Sequence, residues 1–152
     1  MMTAWNERIF VDELNHQLLV ENPDRSMTAR GRHGSGPGEF HYPRDVAVLN
    51  SRAYVVDSWN HRVQVFDLPS WQFAFAFGSF GSESGQFFCP SSIAVAGPFL
   101  AIADTNNSRL SFHHPDGACA FVYDLPRFPV QVRTTPGGFL EVQSEDGEWE
   151  SL

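Results

Sequence analysis

At 152 residues the chain is short enough for a single domain, and with 42% hydrophobic and 18% charged residues it has the makings of an ordinary soluble core. A formal net charge of -8 sets it against phosphate backbones and anionic lipid surfaces, so nucleic-acid binding and membrane association are disfavoured. Two cysteines, Cys89 and Cys119, are too few for a disulfide framework or a four-ligand zinc site and are expected as buried thiols.

No stretch approaches the length of a membrane span, and Met1 to Arg8 lacks a basic start followed by an apolar run. The default expectation is therefore a cytoplasmic protein without a leader. In chain order, a strand opens around Arg8 to Asp12, followed by the turn Asp12-Glu13-Leu14-Asn15-His16-Gln17. Arg25, Arg30 and Arg32 read as solvated loop charges. The glycine-rich stretch Gly31 to Gly38 precedes a strand rather than a helix, so it is a connection and not a phosphate cradle. Strands are predicted at 45–49, 53–56, 62–66 and 73–77, then at 92–96, 100–103, 109–113 and 118–123. Their apolar residues recur with a period of two. In Phe73-Ala74-Phe75-Ala76-Phe77 this places three rings on one face and leaves the other smooth. Two further strands follow at 129–133 and 139–142, and the acidic stretch Glu145 to Glu150 reads as a solvated end.

The segments repeat. Gly31, Gly34, Gly38, Phe40, Pro43, Val46 and Val48 return as Gly78, Gly81, Gly85, Phe87, Pro90, Ile93 and Val95, each 47 residues on (31 to 78). Asp57, Asn60 and Arg62 return at the same interval as Asp104, Asn107 and Arg109, and Asp12 with Asn15 forms an earlier copy. A four-stranded antiparallel meander repeating at about this length is the signature of a β-propeller blade. The fold class is therefore all-β, a partial or open propeller of about three to three and a half blades. The blade parts lie at 5–31, 43–78, 90–124 and 129–152 of one domain.

At these residues the chain resembles the NHL-repeat family. Its pattern, G-x-F-x-x-P-x-x-[IV]-A-V, a strand ending in Asp, then x-x-N-x-R, is matched from Gly38 through Arg62 and again from Gly85 through Arg109. The first copy departs from it with Gln17 in place of Arg, and the last places Gln143 where the strand-ending Asp would fall. The motif residues Asp12, Asn15, Asp57, Asn60, Arg62, Asp104, Asn107 and Arg109 are read as structural. Asp accepts backbone N–H groups across the turn, Asn tolerates the left-handed conformation, and Arg forks onto carboxylate or carbonyl oxygens.

No nucleophile elbow, metalloprotease helix or phosphate loop occurs. His16 and His61 share a repeat position and read as turn residues, His33 and His41 lie in the glycine-rich connection, and His113 and His114 point to opposite faces of a strand. The chain is thus expected to be non-catalytic, without metal or cofactor, and to act as a protein-binding or scaffolding platform. Trp59 and His61 are the candidate partner-binding residues. The alternatives implied by the resemblance are an RNA-binding NHL module and a fragment of an amidating-lyase-type propeller enzyme. In that lyase pattern a histidine follows the proline that opens a blade, whereas here Arg44 and Ser91 do. An open arc would leave apolar faces at both ends, so a homodimer closing a six-bladed ring is also expected, each C-terminal tail supplying the first strand its partner's N-terminal blade lacks.

Overall fold

The computed structural model describes residues 1–3 and 7–152, so the start of the first blade part, at residue 5, lies outside the described residues. β1 (Ile9–Asp12), β2 (Gln17–Glu21) and β3 (Met27–Arg30) form the first sheet. β4 (Pro43–Leu49), β5 (Arg52–Asp57), β6 (Arg62–Asp67) and β7 (Gln72–Phe77) form the second. β8 (Ser92–Ala96), β9 (Phe99–Asp104), β10 (Arg109–His113) and β11 (Cys119–Asp124) form the third. β12 (Pro129–Thr134), β13 (Leu140–Ser144) and β14 (Trp149–Ser151) form the fourth. Every neighbouring pair is antiparallel and adjacent in sequence, so each sheet is a meander. The chain is all-β in propeller fashion, and no helix among the described residues is long and apolar enough to cross a membrane.

The sheets stack face to face through three apolar layers. Ile9, Leu18 and Val20 meet Val46, Val55 and Phe66 in the first. Tyr54, Val56, Val63 and Val65 meet Phe87, Ile93, Leu100 and Ile102 in the second. Ala101, Ala103 and Leu110 meet Val132 and Val142 in the third. Period-two alternation makes this possible, because each middle sheet must be apolar on both faces.

Two expectations about the strands are corrected. Phe73 packs into the first layer, whereas Phe75 and Phe77 pack into the second. The register shifts between Val65 and Phe66, and this bulge turns Phe73 to the opposite face from its two neighbours. The strand-ending position of the last sheet belongs to Ser144, which pairs with Pro129 as Asp57 pairs with Pro43; Gln143 lies one residue earlier, where Val56 stands in the second sheet.

The chain's two ends also differ from expectation. Met1 and Ile9 exchange backbone hydrogen bonds and Met2 bridges Arg8, so the N-terminal residues already sit beside β1 as a first-strand stub. The acidic stretch is not a free end: Gly147 N–H closes a turn on Ser144, and Trp149–Ser151 pairs with β13. The tail is thus paired within its own sheet. The far face of that sheet is polar as well. Where the second sheet presents Ala47, Tyr54 and Val56 to its neighbour, the fourth has Arg133, Glu141 and Gln143 at the matching register. Arg133 pairs with Glu141 at 2.7 Å and stacks over Trp149 at 3.8 Å.

Candidate functional site

Strands alternate in direction, so the turns from second to third strand and the connections between sheets gather at one end of the stack. Both copies of the motif build that end. Asp104 and Asp57 are fully buried. Asp104 accepts the Phe88 N–H on one carboxylate oxygen, and Asn107 and Arg109 Nε on the other. The Arg109 guanidinium then forks onto the Ser82, Glu83 and Gln86 carbonyls at 2.8–2.9 Å. Asp57 repeats the arrangement with His41 N–H, Asn60 and Arg62, and Arg62 reaches the Ser35, Gly36 and Glu39 carbonyls. Each aspartate–arginine pair thereby fastens the preceding connection onto its own sheet. Among the described residues Asp12 receives Asn15 and Gln17 but no arginine, and the hydrogen bonds from their side chains, Asn15 foremost, hold its carboxyl below the ordinary value.

Above these knots lies an aromatic rim made of two ring clusters. His16 and His61 end their 3₁₀ turns in the left-handed conformation, both at φ 53. His16 Nδ1 accepts the Tyr42 N–H at 2.9 Å and His61 Nδ1 accepts the Cys89 N–H at 3.0 Å. Tyr42 and Cys89 are themselves one repeat apart, so each histidine pins the next sheet's connection at the same point. The His16, His33 and His41 ring centroids lie 4.6–5.7 Å apart, and Trp59 leans on His41 and Tyr42 at 5.3 and 4.8 Å. In the next copy His61, Phe80 and Phe88 occupy the corresponding places at 4.9–6.0 Å. Trp59 is 53% exposed and Phe80 61%, so this rim presents its rings to solvent. Trp59 and His61 flank one turn but serve different clusters, Trp59 the first and His61 the second. No group of three His, Cys, Asp or Glu among the described residues is placed to hold one metal ion.

At the opposite, inner edge of the sheets, Asp45 accepts Ser92 Oγ–H and Ile93 N–H at 2.9 Å, and Ser92 Oγ in turn accepts Val132 N–H. Three successive innermost strands are thus chained together, and burial pushes the Asp45 carboxyl up. His113 is fully buried, donating from Nδ1 to the Gly117 carbonyl and accepting from Ser111 Oγ–H at Nε2. Both cysteines are free and half-buried rather than fully buried, and burial raises the Cys89 thiol.

Burial holds His41, His61 and His113 below the ordinary imidazole value. Each is neutral in the fold at pH values where the unfolded chain takes a proton. Their contribution to stability is complete above about pH 6.5 and drains as the pH falls through and below that value. The raised Asp45 acts in the other sense, its burden growing as pH rises past about 4. A thermal midpoint that falls between about pH 7 and about pH 5 is therefore expected; a flat or rising midpoint over that interval contradicts it.

The role of Gln64 was not legible in sequence. It donates to Glu39 O and Asp57 and accepts the Gly38 N–H, but its counterpart one repeat later is Ser111, so no recurrence marked it. The rim was legible only in part: His33 against Phe80 and His41 against Phe88 share a place without sharing a residue type.

Residues 40–66, running from the connection's phenylalanine through β5, the Asp57–Arg62 knot and most of β6, match the NHL repeat family model. This chain carries an NHL repeat. NHL repeat-containing protein 3 of Homo sapiens is 33% identical over 102 residues, covering 64% of this chain and 28% of that protein. Protein brain tumor of Drosophila melanogaster is 38% identical over 66 residues, covering 43% of this chain and 6% of its own length. The NHL chain thus spans about a quarter, 28%, of the first of these relatives. Among solved structures, virginiamycin B lyase from Staphylococcus aureus superposes on the whole NHL chain with a TM-score of 0.70, using 53% of its own length at 12% identity, a likeness of fold alone.

Proposed function

We propose that this NHL module is a non-catalytic docking platform whose aromatic rim takes a protein partner. The observation that carries the reading is the exposure of Trp59, Phe80 and Phe88 above rings held in place by backbone hydrogen bonds. Rigid, exposed aromatics lose little entropy on contact, and Trp is enriched among residues that dominate interface energy. Propellers host many activities, so the reading rests on the rim and not on the fold.

A photo-crosslinker placed at position 80, with Trp59 left in place, is expected to capture a defined protein from cell extract. Trp59→Ala should weaken binding of the purified partner by about 2 kcal/mol or more, roughly thirtyfold. The same change should move the thermal midpoint little, because Trp59 is half in solvent. Full-strength binding by the variant would discard the rim. Capture of nucleic acid, with salt-sensitive retention on a polyanion column, would favour the RNA-binding alternative.

A further inference from the structure

His16 and His61 offer Nδ1 to a backbone N–H, and a neutral ring can do so only with its proton on Nε2. A second proton would fall on Nδ1 and face a donor instead of being faced by one, so the hydrogen bond to Tyr42 or Cys89 would be lost. Tyr42 and Cys89 are held at φ 51 and 49, a conformation that non-glycine residues keep only when something holds them there. His16 and His33 also stand beside His41, where a positive charge on either disfavours one on His41. We propose that the rim is a proton-gated surface: acidification releases the Tyr42 and Cys89 connections from His16 and His61 and dismantles the docking platform.

The gate deepens the docking reading in what it controls, but the titration can be tested without a partner. The groups facing these rings come from each element around them. Asp57 lies near His41 and His61, and Asp104 near His61, both favouring the charged ring. Arg44 and Glu13 pair across the rim at 3.9 Å, and Arg32 pairs with Glu39 within the connection. Burial, which comes first, and the neighbouring imidazoles outweigh the aspartates and keep His41 and His61 below the ordinary value. In the third copy Ser108 holds the same left-handed place, so the gate is confined to the first two junctions.

Amide hydrogen exchange by NMR on the full chain tests this. From about pH 7.5 to about 5.0, bracketing the ordinary imidazole value, the protection of the Tyr42 and Cys89 amides, corrected for intrinsic rates, should fall about tenfold or more. The core amides of Val55 and Ile102 should keep most of theirs. Asparagine tolerates the left-handed conformation and offers an oxygen that does not titrate. His16→Asn should therefore abolish the fall at Tyr42 alone, and His61→Asn the fall at Cys89 alone. Protection independent of pH in the native chain, or an equal fall in the variants, overturns the gate. A working gate in a chain whose Trp59→Ala variant binds its partner normally would instead overturn the docking reading.

Discussion

Replacing Asp104 by alanine is expected to lower unfolding stability by about 3–5 kcal/mol, read as a shift of the urea midpoint with unchanged slope. Asp104 is fully buried and Arg109 nearly so, with its side chain 8% exposed. Removing the carboxylate strands a buried positive charge, leaves the Phe88 N–H without its acceptor and leaves the Asn107 amide with the Gly81 carbonyl alone. The loss should be smaller for Asp57→Ala, because Arg62 is 17% exposed and water can reach it. For Asp12→Ala, on the surface and without an arginine, the midpoint should barely move. The double variant Asp104→Ala with Arg109→Met should recover part of the loss, since it removes the stranded charge as well. Equal effects at all three aspartates would show that burial is not what gives the pair its weight.

Phe87→Ala should cost a similar about 3–5 kcal/mol. Its ring is fully buried in the layer between the second and third sheets, beside Phe77 and His113 at 6.4 and 5.3 Å. It also lies directly against Gly78, where an added Cβ would come within 2.4 Å of the ring at a backbone φ of +97. Gly78→Ala is therefore destabilising for two reasons, the ring and the backbone. Once Phe87 is reduced to alanine the ring clash is gone, and the backbone strain and a 3.2 Å approach to the His61 carbonyl remain. The two substitutions should combine to less than the sum of their separate effects. Strict additivity in thermal or urea unfolding would place the ring elsewhere. Gly31 and Phe40 form the same pair one repeat earlier, with φ +95 and a 2.5 Å approach, and should behave alike.

The repeat made most of the architecture legible. A residue type that returns at a fixed interval does so because the same local problem returns: a turn to close, a connection to fasten, a ring to lay over a glycine. Asp57, Asn60 and Arg62 could be read as one unit for that reason, and Asp104, Asn107 and Arg109 confirm the unit by making the same hydrogen bonds. Where the repeat is silent, sequence reasoning erred or stopped. A bulge is invisible to a strict alternation, so Phe73 was assigned to the wrong face. A one-residue slip in the last copy separated Gln143 from Ser144, because no aspartate marked the strand end there. Gln64 drew no notice because its counterpart is Ser111.

The sequence alone determined the order of the strands in the two full repeats, the turns between them and the stacking of those sheets on both faces, since these follow from local periodicity and its recurrence; β2, β3 and β14, which lie outside the two full repeats, were not legible in it. Only the tertiary structure decided that His16, His33, His41, Tyr42 and Trp59 form one cluster, and that the far face of the fourth sheet is polar. Those facts depend on which connections fold over which turns. Residues distant along the chain are brought together there by hydrogen bonds to backbone N–H groups, which every residue but proline carries and no side-chain pattern records.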